Sequence, residues 1–166
     1  PNDPHCGDGM EIVIDIINGR YNPMIKGHFP LVDVRDLAAL HVKLMESGRG
    51  ARRYFLSGER IVFTDLIDKI SDLTGCRIRY FMVPSWLIEV PVRLIDLLTP
   101  FIPFRIPVTL EGFRFAKWDP VYDDSKTKKE LKISLRPYYE TLSDTIKWLH
   151  SIGKINDEQV GRLSND

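Results

Sequence analysis

The chain has little of what marks a metal protein, a disulfide scaffold or a membrane span. Its 166 residues hold two cysteines, Cys6 and Cys76, far apart and without CxxC or Cys/His spacing. That argues against a metal site and for a reduced, cytoplasmic setting, although two thiols are enough for one bridge. Neither sign of charge is in excess: 23 Lys and Arg balance 23 Asp and Glu. The electrostatic case for nucleic acid or an anionic membrane as main partner is therefore missing. Uninterrupted apolar runs are missing too. The most apolar stretch, residues 84–107, contains Pro84, Pro91, Pro100, Pro103 and Pro107, with Glu89, Arg93 and Asp96 among them. A spanning helix needs about 20 consecutive apolar residues. No internal repeat and no low-complexity run occur. The first residue is Pro1 rather than Met, so the chain is expected to be part of a longer polypeptide.

What is present alternates between helical and strand patterns, which argues for an α/β fold. Asp8 and Glu11 have the spacing of a capping box, followed by an apolar face of Met10, Val13, Ile14 and Ile17 and a stop at Asn18-Gly19. Residues 29–34 predict a strand. Asp33 is placed to cap a helix running to about Ser47, with Leu37, Leu40, His41 and Leu44 on one side. Residues 53–56 predict a second strand. Thr64 is expected to cap a helix with a Leu66, Ile67, Ile70, Leu73 stripe and a stop at Gly75. Residues 77–83 alternate as a third strand would. Helices are predicted over 85–98 and 108–117. Asp123 or Asp124 caps a short helix ending near Leu131, and Pro137 opens a last one bearing Leu142, Ile146 and Leu149. Residues 156–166 read as a polar tail that frays. Three strands are few for a parallel sheet, which needs cover on both faces.

Three segments carry a likeness. They are Phe29-Pro30-Leu31-Val32-Asp33-Val34-Arg35-Asp36-Leu37-Ala38-Ala39-Leu40-His41, then Arg53-Tyr54-Phe55-Leu56-Ser57-Gly58, then Tyr122-Asp123-Asp124-Ser125-Lys126 followed by Glu130-Leu131. In this order they resemble the C-terminal, substrate-binding half of the extended short-chain dehydrogenase/reductase family. Its dihydroflavonol-reductase-like and epimerase/dehydratase branches are the nearest in kind. The resemblance implies a mostly helical piece of a Rossmann-like protein with few short strands. Residues 1–155 would form a substrate lobe plus the last strand of the sheet, and 156–166 a tail. It implies a parent enzyme that uses NAD or NADP to transfer hydride at a carbonyl or carbinol. The nucleotide site and the catalytic tyrosine and lysine would lie before Pro1, so neither cofactor-binding nor catalytic residues are assigned here and no nucleotide is expected to bind this segment alone.

The resemblance also narrows the substrate. Where nucleotide-sugar enzymes of the family carry phosphate-pairing arginines, this chain aligns Phe29 and Phe113. With Met10, Leu31, Trp86 and Trp118 these residues are expected to line a site for a small hydrophobic molecule such as a ketone, terpenoid or steroid. Sugar epimerase or dehydratase activity, and a non-catalytic sensor or interaction module of the same fold, are the alternatives. The missing nucleotide-binding half is the expected partner. The strand at 53–56 would lie parallel to a neighbour from that half, and left open its edge invites homodimerisation. Peripheral membrane contact through residues 86–106 is the remaining option.

Several motifs have duller readings that fit better. Tyr122-x-x-x-Lys126 matches the family's catalytic spacing, with Thr109 upstream, but Asp123-Asp124-Ser125 reads as a helix start, which puts Tyr122 before the helix. Gly7-Asp8-Gly9 and Gly48-Arg49-Gly50 lack the strand, helix and third glycine of a dinucleotide turn. His41 reads as a core or edge histidine. Asp33 and Asp36 read as a cap and a dipole partner rather than a carboxylate pair. Lys43, Arg49, Arg52 and Arg53 read as a solvated basic surface.

Overall fold

A computed structural model describes residues 6–20, 24, 26–46, 50–87, 89–91 and 120–165. Its elements in chain order are α1 (Asp8–Ile17), β1 (His28–Leu31), α2 (Val34–Glu46), β2 (Glu59–Val62), α3 (Phe63–Thr74), α4 (Ser125–Leu131), α5 (Tyr138–Ser151) and α6 (Asp157–Val160), closed by a 3₁₀ turn, Gly161–Asn165. Residues 85–87 and 89–91 are also helical. The predicted helix over 108–117, and most of that over 85–98, lie outside the described residues. The fold is mostly helical with a two-stranded sheet.

One apolar core joins the two ends of the chain. Val13 and Ile16 of α1 meet Leu66, Ile67 and Ile70 of α3, and Leu142, Ile146 and Leu149 of α5. The 3.6-residue period of those stripes puts each set on one helix face. At the ends, Asn18 caps α1 and Gly75 stops α3 in the left-handed region, φ 75°.

Several details differ from the sequence reading. The helix α1 starts at Asp8 with Gly7 at the cap position, so Asp8 is a first-turn residue rather than the cap. Val62, not Thr64, precedes α3. Residues 77–83 make a single parallel bridge, Met24 to Met82, rather than a strand.

The larger correction concerns the second strand. It is Glu59–Val62, not 53–56, and it pairs antiparallel with β1, Phe29 opposite Ile61. Residues 52–58 have no strand assignment. The reason lies in α4: Phe55 N donates to Thr127 Oγ1 at 3.2 Å, and Ser57 and Gly58 N donate to Asp124 Oδ2 at 3.1 and 3.3 Å. Side chains at the start of a helix have taken amides that a ladder would use.

The tail is the other correction. Residues 156–166 were expected to fray, but Asn156 and Gln159 form a reciprocal capping box on α6. Val160 and Leu163 are buried in the common core. A Cβ on Gly161 would lie 1.9 Å from Thr74 O, so the chain passes hard against the end of α3.

Candidate functional site

The bridge at Met24 builds the candidate site. Met24 N donates to Phe81 O at 3.0 Å and Val83 N donates to Met24 O at 2.7 Å. This fixes two distant segments side by side. The cleft between them, about 380 Å³, is lined by Lys26, Met82, Val83, Pro84 and Ser85. Beside it the chain presents large apolar side chains to solvent: Phe81, Met82, Trp86, Leu87 and Val90 are each about half or more exposed, Trp86 at 69%. Clustered exposed apolar groups mark an interaction site, because water contact with them is unfavourable. Among the described residues, Lys26 is the one charged residue lining this cleft.

The residues predicted to line a substrate site do not all gather there. Trp86 follows Ser85 of the cleft in sequence and is exposed, but is not among the residues that line it. Met10, Phe29 and Leu31 pack against the core, and the Phe29 ring meets Phe63 edge-on at 6.3 Å. Phe113 and Trp118 lie outside the described residues. Lys26, Met82, Val83, Pro84 and Ser85 were not singled out from sequence; a bridge between residues 24 and 82 leaves no local periodic signal.

Away from this cleft, a charged frame ties α2 to α5. Asp33, almost fully buried, accepts from Arg35 N at 2.8 Å, from Arg35 Nε and NH2 at 2.9 and 2.7 Å, and from Thr141 Oγ1 at 2.8 Å. Arg35 also reaches Asp144 at 2.7 Å. The Arg35 guanidinium, against the opposing pull of burial, holds the Asp33 carboxyl well below the usual carboxylate range, and Asp33 in turn holds Arg35 charged. Asp36 accepts from Arg136 N at 2.8 Å and pairs with its guanidinium. Both acids therefore do what the sequence suggested at the helix start, and also tie α2 to α5. At Asp124, burial raises the pKa, but Lys128 and the Ser57 amide outweigh it and the net shift is downward.

Of the motifs given dull readings, Gly48 and Arg49 lie outside the described residues. Tyr122 precedes α4 and stacks at a tilt on Phe55, ring centres 5.5 Å apart. Lys126 is on the helix, so the two do not share a helical face. Thr109 lies outside the described residues. His41 is exposed rather than buried, its Nδ1 donating to Leu37 O at 2.7 Å. Arg52, Arg53 and Lys126 line a separate polar cleft with Tyr54, Thr127 and Glu130, in which Tyr54 Oη donates to Glu130 at 3.0 Å. Cys6 and Cys76 are both free thiols. Gly9 lies inside α1, and a Cβ there would meet nothing within 4 Å, so this glycine makes no close backbone approach. Among the described residues no helix is long and apolar enough to cross a membrane.

Comparison with known proteins agrees with this architecture. No family model matches the chain. Sterol demethylase protein B of Methylococcus capsulatus is 25% identical over 145 residues, covering 86% of this chain and 44% of that protein. A putative dihydroflavonol 4-reductase of Synechocystis is 26% identical over 157 residues, covering 89% of this chain and 44% of that protein. The crystal structure of gox2253 superposes with a TM-score of 0.73 at 22% identity, over 94% of this chain and 47% of that one. The chain thus matches the C-terminal half of extended short-chain dehydrogenase/reductase-like proteins, and spans less than half the length of the curated relatives.

Proposed function

We propose that the chain is the substrate-binding portion of an NAD(P)-dependent oxidoreductase acting on a carbonyl or carbinol of a small hydrophobic molecule, working in the cytoplasm. The observation that carries the reading is the cleft at Lys26, Met82 and Pro84 with its exposed apolar border. A ketone or sterol-like ring system removes that border from water, at roughly 25 cal/mol per Å² of apolar surface. A sugar diphosphate would want paired cations instead, and among the described residues this cleft's lining has one lysine. The names of the relatives, a sterol demethylase protein and a dihydroflavonol reductase, favour a polycyclic substrate. The hydride donor is bound outside this chain, and the chain's part is to hold and orient the reacting ring.

The test is turnover by the protein from its complete gene, with NADPH and NADH, on a steroid ketone and on UDP-glucose. Ketone reduction is expected, with Trp86→Ala and Met82→Ala each raising KM for the ketone about tenfold and leaving KM for the nucleotide unchanged. Activity on the nucleotide sugar alone, or indifference of ketone KM to both substitutions, would sink the proposal.

A further inference from the structure

A second cleft shares no lining residue with the one at Lys26. It encloses about 380 Å³ and is lined by Arg52, Arg53, Tyr54, Lys126, Thr127 and Glu130. Two segments far apart in the chain build it: the stretch before β2 and the helix α4. They are strapped together at three points. Phe55 N donates to Thr127 Oγ1 at 3.2 Å, Tyr54 Oη donates to Glu130 at 3.0 Å, and Arg52 reaches the same Glu130 oxygen at 3.4 Å. A cleft held this way brings its charged groups together before any ligand arrives.

The charges in it do not balance. Three cations face one carboxylate, which leaves two positive charges over. Glu130 is already shared between Tyr54 and Arg52. Arg53 and Lys126, both exposed, have no ion pair or hydrogen-bond partner among the described residues. Nearby cations are differently placed. Lys128 of the same helix pairs with Asp124 at 2.8 Å, and Lys43, grouped with these arginines in the sequence, donates to the Lys132 carbonyl at 3.2 Å. Cations gathered without a counter-ion repel one another, and an anion between them relieves that.

The hydroxyl of Thr127 is a separate observation. Thr127 is only 5% exposed. Its oxygen accepts from Phe55 N, but its hydrogen has no acceptor among the described residues. Buried hydroxyls ordinarily find a partner for that hydrogen. In a cleft lined by cations, the fitting acceptor is an anionic oxygen.

We propose that the cleft between residues 52–54 and α4 binds a phosphate monoester, with Arg53 and Lys126 pairing its dianionic phosphate and the Thr127 hydroxyl donating to it. A monocarboxylate would answer one of the two spare charges. A phosphate monoester answers both, and its several oxygens suit the planar fork of an arginine. The volume falls within the roughly 300–1,000 Å³ of small-molecule sites, which leaves room for the organic part of the ester. Nothing in this inference depends on the proposed turnover.

The test is calorimetric titration of the protein from its complete gene with glycerol 3-phosphate, against sodium chloride at matched ionic strength. Saturable binding is expected. Arg53→Gln and Lys126→Gln should each weaken it about threefold or more. Both should leave the melting temperature within about 2 °C, because neither side chain has a partner to lose. Glu130→Gln should tighten binding, a change of sign that a damaged fold does not produce. A lipid headgroup could present the same phosphate, so a second arm uses phosphatidylcholine vesicles with and without phosphatidic acid. Binding only to the phosphatidic acid vesicles, lost in Arg53→Gln, would make the ligand lipid-borne; binding of glycerol 3-phosphate makes it a soluble ester. No saturable response to either phosphate source beyond that to chloride would overturn the proposal. So would binding whose strength ignores both Arg53→Gln and Lys126→Gln.

Discussion

Asp33 has the most demanding position of any single residue. Its carboxylate is out of water and has spent its acceptor capacity on Arg35 and Thr141. Asp33→Asn keeps the shape but puts a donor where two acceptors were, leaving Arg35 and Thr141 poorly matched. The expected loss is about 1–3 kcal/mol in urea unfolding at neutral pH. The pH dependence has a definite sign. The folded pKa of Asp33 is depressed, as is that of Asp124, so their contribution is fully present above the unfolded carboxylate range near pH 4 and is lost as pH falls below it. Stability should be flat from about pH 7 to 5 and decline below about pH 4, and the decline should be shallower in Asp33→Asn. An equally steep decline in that variant would place the acid-sensitive group elsewhere.

Among the elements, the tail from α6 through the 3₁₀ turn behaves as core. Truncation after Ile155 exposes the pocket that Val160 and Leu163 fill and is expected to cost about 3 kcal/mol or more, read as a lower urea midpoint. A tail that merely frayed would leave the midpoint where it was. Gly58 makes a second element-scale prediction. Its φ is 76°, and a Cβ there would stand 1.9 Å from Leu31 O. Gly58→Ala should therefore destabilise the β1–β2 pair by well over about 1 kcal/mol.

These two places also show what was legible in the sequence. Stripes with a clear stop, such as Leu66-Ile67-Ile70 before Gly75 or Leu142-Ile146-Leu149 after Pro137, could be read because the helix period and its ends are local. The tail had a local signal that went unread, the Asn156-x-x-Gln159 capping pair before Val160. The strand could not be placed locally: Tyr54-Phe55-Leu56 has the stronger strand composition, yet Thr127 and Asp124, some 70 residues away, bind its amides and Glu59–Val62 takes the pairing. Trp86 was readable as a candidate site residue by type, whereas Lys26 and Pro84 enter the cleft only through the long-range bridge at Met24.

At the scale of the molecule, the core and the surface point in different directions. The core is self-sufficient, knitting α1, α3, α5 and the tail into one cluster. On the surface, α2 and the 81–90 segment both present apolar side chains to water. The 81–90 surface is the one proposed above to meet the substrate.

The assignment of the 81–90 surface to substrate can be measured without turnover, by following backbone amide shifts of the isotope-labelled 166-residue chain as a steroid ketone is added. The account predicts saturable shifts centred on Lys26, Met82, Val83 and Ser85, which vanish in Trp86→Ala. Shifts gathered instead at Arg52, Tyr54 and Glu130, or none that saturate, would contradict it.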